Sequence, residues 1–190
     1  MTVAWWATQA PERRAIVSPH GDRTFAELNQ RANQLARALR RRGVQAGEGV
    51  ALLCANRPEF VEVLSATQRA GLRLTPVNWH LTGTEAGYIV GDCEATVFVA
   101  DARFAELARE AAAQAPGAAA RLAVGGPIEG FEPYDEVIGS QDPADIEDPV
   151  IGSSMLYTSG TTGRPKGVFR AEQPPVSAAT IDIYGYRAGE

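Results

Sequence analysis

The sequence predicts an α/β fold: a mainly parallel sheet flanked by helices. Short, continuous apolar runs such as Val50 to Cys54 and Ala95 to Ala100 suit strands buried on both faces. Amphipathic stretches of helical period alternate with them, which favours crossover connections in a layered sheet. Two of those stretches open with capping-box spacing, Thr24-Phe25-Ala26-Glu27 and Thr82-Gly83-Thr84-Glu85, where a hydroxyl and a carboxylate three residues on satisfy each other's free backbone donors.

In chain order, an opening segment with Trp5 and Trp6 precedes a short strand at Ala15-Ile16-Val17 and a turn at Gly21-Asp22. Leu28, Ala32, Leu35 and Leu39 then share one stripe of a helix from about 25 to 42, stopped by Gly43. Arg40, Arg41 and Arg42 close that helix, where cations complement its dipole; this is favoured over a contact to an anionic ligand. After the strand at 50–54, Asn56 and Pro58 start a helix whose apolar face carries Phe60, Val61 and Leu64 up to Gly71. A strand at Leu74 to Val77 leads to the second capped helix, and the strand at 95–100 leads to a helix with Asp101 as N-cap that ends before Pro116. Arg121 to Val124 adds a further strand.

Between 126 and 149 the composition turns to Gly, Pro and acid, and the run from Gln141 to Pro149 reads as a solvated linker rather than a metal site. The expected organisation is an α/β subdomain over 1–125, a connection over 126–149, and a strand with the start of a further subdomain over 150–190. Val150 to Tyr157 is the strand, and Lys166 to Arg170 its hairpin partner.

Composition narrows the function. The formal net charge is −5 over 190 residues and no extended basic face is present, so nucleic acid is not an expected partner. Exposed charges are screened over about 8 Å at physiological salt, so this balance does not oppose a local anion site. No stretch approaches the roughly 18 to 20 apolar residues of a membrane span, and a cytoplasmic location is expected. Cys54 and Cys93 lack metal-type spacing and are expected as buried thiols. His20 and His80 stand at turns without ligand partners, and Trp79 is expected to half-cover a loop rather than to border a substrate channel.

The chemistry concentrates between Tyr157 and Gly167. Glycines at 160, 163 and 167 leave backbone N–H groups free to turn inward as an anion-binding nest. Thr158, Ser159, Thr161 and Thr162 supply hydroxyls that donate to phosphate oxygens or offer a lone pair to a hard cation. Lys166 adds a mobile positive charge, and Pro165 stiffens the chain before it. Polyphosphate is the ligand this composition suits. A Walker A loop is excluded, because Pro165 and Gly167 stand where that pattern needs a glycine and a hydroxyl.

The run Thr158 to Gly167 resembles, without a break, the phosphate-binding signature of the adenylate-forming (AMP-binding) superfamily of acyl- and aryl-CoA synthetases, nonribosomal adenylation domains and luciferases. The similarity extends upstream, through Thr24 to Asn29 with Arg31 to Ala36, and through Arg69-Ala70-Gly71 with Thr75-Pro76-Val77-Asn78 and Leu81-Thr82. The resemblance implies the N-terminal part of the large domain of an ATP-dependent acyl-CoA synthetase, a fatty-acid-CoA ligase in type. Such an enzyme activates a small carboxylic acid as an acyl-adenylate and transfers it to CoA. It further implies that Thr158, Ser159, Gly160, Thr161, Thr162, Gly163, Lys166 and Gly167 hold the ATP phosphates, with Thr158 also facing Mg²⁺. No catalytic residue is expected within these 190 residues, so the chain alone is expected to be inactive; the full-length protein is open to homo-oligomerisation. A carrier-protein thiol as acceptor, or a non-catalytic nucleotide- or partner-binding module, is the alternative. Val168-Phe169-Arg170 departs from the family in lacking a histidine soon after the loop.

Overall fold

A computed structural model of the chain describes residues 2–158 and 165–169. Their core is a sheet with strand order β7-β6-β5-β3-β4-β8-β9. The strands are β3 (Gly49–Leu53), β4 (Arg73–Pro76), β5 (Ala95–Asp101), β6 (Ala120–Val124), β7 (Glu132–Pro133), β8 (Ser153–Thr158) and β9 (Lys166–Phe169). All neighbours pair in parallel except β8 with β9. The expected α/β architecture is the one found. A small ribbon of β1 (Arg14–Ile16) and β2 (Arg23–Thr24) lies apart.

Strand order reverses around β3, because the chain steps outward to β4 and then back across β3 to β5. The helices therefore divide between the two faces. On one face α2 (Phe25–Arg41), α3 (Pro58–Ala70) and α6 (Tyr134–Gly139) bury Leu35, Leu39, Val63 and Ile138. On the other, α4 (Gly83–Asp92) and α5 (Ala105–Gln114) bury Ile89, Val90, Ala108 and Ala111 against Phe98. Every residue of β3 is buried, as its unbroken apolar run requires.

Both capping boxes form, at Thr24 with Glu27 and at Thr82 with Glu85. The opening segment is a helix, α1 (Val3–Gln9), capped by Thr2 and buried nowhere. Asp101 caps a 3-10 turn over Ala102–Phe104, accepting from the Arg103 N–H at 3.0 Å, and α5 begins only at Ala105. Within 126–149 the chain forms β7 and α6 rather than a bare connection. Tyr134 is 1% exposed and donates to Glu62 Oε2 at 3.1 Å. Glu62, itself fully buried, also accepts from Arg23 Nε at 2.9 Å and Arg31 Nε at 2.7 Å. Breaking such a buried charge cluster is costly, so it fixes how α2, α3 and α6 meet.

The acidic run is a strap rather than a solvated linker. Asp145 Oδ1 accepts from the amides of Asn29 and Asn33, each at 2.8 Å. Arg37 donates to the main-chain oxygens of Asp142, Ala144 and Asp145, and Arg40 pairs with Asp148 at 2.7 Å. Within the strap, Gln141 and Ile146 are buried. The hydrogen bonds from Asn29 and Asn33 lower the Asp145 pKa, and Arg40 lowers that of Asp148. Glu27 and Glu85 are lowered by their capping bonds to Thr24 and Thr82.

A depressed folded pKa contributes stability that is complete above the unfolded value, about 4 for these groups, and lost as pH falls through the folded value. Urea midpoints are accordingly expected to hold from pH 7 to 5 and to fall below pH 4. Asp145→Asn is expected to flatten that fall, and an unchanged acid limb in the variant would contradict the role of the strap.

Candidate functional site

Antiparallel pairing sets Met155 opposite Phe169, Leu156 opposite Val168, Tyr157 opposite Gly167 and Thr158 opposite Lys166. The two ends of the glycine-threonine segment, Thr158 and Lys166, are thus held at the roughly 5 Å spacing of cross-strand neighbours. Side chains alternate along β8. Met155 and Tyr157 pack on the α4–α5 cluster, whereas Leu156 and Thr158 are exposed. Lys166, the partner of Thr158, is exposed as well, so the hydroxyl and the ammonium share the open face. Ser159, Gly160, Thr161, Thr162 and Gly163 lie outside the described residues.

Gly167 has a role beyond a free N–H. A Cβ built on it would stand 3.0 Å from Tyr157 Cζ and 3.2 Å from the phenol oxygen, so its bareness seats the tyrosine ring. The Tyr157 hydroxyl donates to Asp92 Oδ2 at 2.5 Å. Burial, with Asp92 beside it, raises the Tyr157 pKa above the ordinary value, so the phenol stays a donor.

On that same side a cleft of about 480 Å³ opens between α4, α5 and Pro165, lined by Thr84, Glu85, Tyr88, Asp92 and Gln114. Its charged lining residues are both acids, the wrong sign for phosphate. The face that bears Thr158 and Lys166 is the electrostatically compatible one.

The strand that delivers the loop enters through a close backbone approach. Val150 N–H donates to Arg69 O at 2.9 Å, Gly152 N–H to Gln68 O at 2.9 Å and Ser153 N–H to Leu72 O at 3.0 Å. A Cβ on Gly152 would lie 2.6 Å from Leu72 O and closer still to Thr67 O. Gly152 and the Tyr157–Asp92 pair are the positioning features that sequence reasoning missed. A glycine inside the predicted strand was the available signal for the first. For the second it was an acid at the last position of α4, where the dipole disfavours it.

Elsewhere the described residues carry packing. Trp79 is 44% exposed and stacks on Phe104 with ring centroids 5.3 Å apart; His80 lies against it and His20 is exposed. Arg40 and Arg42 pair with Asp148 and Glu132. Cys54 and Cys93 are buried free thiols, the first pushed up to about 12 by burial and the second raised by the same cause. Among the described residues no cluster of His, Cys, Asp and Glu forms a metal site, and no helix is long and apolar enough to cross a membrane.

A model of the family described as AMP-binding enzyme matches residues 3–187. The chain belongs to the AMP-binding enzyme family. Among curated AMP-binding relatives, the indoleacetate–CoA ligase of Aromatoleum aromaticum is 32% identical over 169 residues, covering 85% of this chain and 32% of the relative. Feruloyl-CoA synthase of an Amycolatopsis species is 36% identical over 166 residues, covering 83% and 31%. Of solved AMP-binding structures, the anthranilate CoA ligase AuaEII in complex with anthranoyl-AMP superposes with a TM-score of 0.79 at 28% identity, covering 87% of this chain and 33% of that one. The chain spans about a third of the length of the curated relatives it matches.

Proposed function

We propose that this chain is the N-terminal part of an ATP-dependent acyl-CoA synthetase whose 158–167 loop grips the triphosphate. What supports the reading is that the unbroken motif links the paired strands β8 and β9, whose ends Thr158 and Lys166 share one open face, away from Glu85 and Asp92. The hydroxyls of Thr158, Ser159, Thr161 and Thr162 and the N–H groups of Gly160, Gly163 and Gly167 hold the β and γ phosphates. Lys166 orders the loop and screens their charge.

Mg²⁺ fits the donor set through the exposed Thr158 hydroxyl, a hard oxygen ligand, and when bound it neutralises phosphate charge. In the reaction a carboxylate oxygen bonds to the α-phosphorus as the bond to pyrophosphate breaks. A thiol, that of CoA, then displaces AMP from the acyl carbon. The loop meets the charge that builds on pyrophosphate with donors already in place. Residues 1–125 form one subdomain and 150–190 begin the next, with 126–149 joining them by way of β7, α6 and the strap; the enzyme works in the cytoplasm, where ATP and CoA are at hand.

The names of the relatives reported above point the first substrate panel at aromatic acids, with fatty acids beside them. The full-length protein is expected to show carboxylate-dependent exchange of pyrophosphate into ATP with at least one of them, and the 190-residue chain none. Product analysis with CoA and with a carrier protein then distinguishes the acceptor. Exchange absent from the full-length protein across the panel would overturn the reading.

A further inference from the structure

We propose that Tyr157 and Asp92 form a positioning pair for the loop: the carboxylate at the end of α4 holds the phenol of the residue before Thr158 and thereby fixes where the loop starts. This rests on the reading of the loop as an ATP cradle. Three independent observations carry it.

The first is that, among the described residues, β8 is paired to the parallel sheet only at its start. Its pairing with β4 covers only Ser153 with Arg73 and Ser154 with Leu74. Among the described residues the strand pairs beyond Ser154 with β9 alone, so a contact from its outer half to the helix layer adds an anchor there. Tyr157 supplies it, reaching across 65 positions of sequence to Asp92 Oδ2 at 2.5 Å.

The second lies on α4. Asp92 is its final residue, with no basic residue in the last turn, so its charge opposes the helix dipole. Glu94 follows at φ 51°, a left-handed conformation unusual outside glycine. The acid thus stands where the helix dipole does not favour it, and its carboxylate meets the Tyr157 phenol.

The third is Gly167, the cross-strand partner of Tyr157. Any side chain there would press on the ring and on Met155. The loop's own closing glycine thus makes room for the tyrosine that fixes the loop's opening strand. Since successive residues alternate between faces, seating the ring toward α4 turns Thr158 to the opposite side.

The test uses the full-length protein and the variants Tyr157→Phe, Asp92→Ala, Asp92→Asn and the double variant Y157F/D92A. Mg-ATP affinity is measured by calorimetry, alongside KM for ATP, KM for the carboxylic acid and the thermal midpoint. Tyr157→Phe and Asp92→Ala are each expected to raise the Kd and KM for ATP by about 5- to 10-fold, leaving KM for the acid in place. The double variant is expected to be no worse than either single one, because both remove the same bond. Asp92→Asn, which keeps an acceptor oxygen, recovers most of the loss.

Variants that melt earlier yet bind ATP as the wild type does would overturn the pair as a positioning device while leaving the proposed function standing. A wild-type protein that binds no Mg-ATP would overturn both.

Discussion

Replacing both Thr161 and Thr162 with alanine in the full-length protein is expected to lower kcat/KM for ATP by about 100-fold or more. A hydrogen bond to a charged group contributes about 1.5 to 3 kcal/mol, and a tenfold change in rate corresponds to about 1.4 kcal/mol. Loss of two such bonds therefore spans roughly two to four orders of magnitude. The loss is expected in ATP-dependent steps alone, with KM for the carboxylic acid within about 2-fold of wild type. Pyrophosphate-exchange kinetics at varied ATP measure it. A double variant with wild-type ATP kinetics would show that these hydroxyls do not meet phosphate.

The second large effect is expected at Gly152→Ala, in stability rather than chemistry. The added methyl would lie 2.6 Å from Leu72 O, with Thr67 O nearer still. Those oxygens belong to main chain at the end of α3 and before β4 and have little freedom to retreat. Leu72 O also accepts from Ser153 N–H at 3.0 Å, so displacing β8 sacrifices the bonds that start the strand. Overpacking of this kind costs about 3 kcal/mol, which urea unfolding resolves. Because β8 carries the loop, ATP affinity is expected to fall with it. A variant of unchanged urea midpoint would contradict the close approach described here.

The architecture was legible wherever a signal was local. The two capping boxes began α2 and α4 as expected, since their satisfaction needs only residues three apart. The buried strands showed as apolar runs, and the hairpin showed because a glycine-threonine turn joins two extended stretches. What escaped was set by distant partners or by weak local cues. α6 follows Pro133 with no side-chain cap, and α1 buries none of its residues, so neither carries a clear periodic pattern. The acidic strap looked like a linker because the groups that hold it, Asn29, Asn33, Arg37 and Arg40, stand on α2 more than 100 positions earlier.

The site divided the same way. Thr158 and Lys166 were identifiable as motif residues, and their shared face followed from strand register. Gly152, Tyr157 and Asp92 owe their roles to contacts between segments far apart in sequence.

The most direct test of the central claim is a crystal structure of the full-length protein with a non-hydrolysable Mg-ATP analogue. The account predicts phosphate oxygens within hydrogen-bonding distance of Thr161, Thr162 and the loop N–H groups, on the face shared by Thr158 and Lys166. A triphosphate bound elsewhere, with residues 158–167 making no contact to it, would contradict the account.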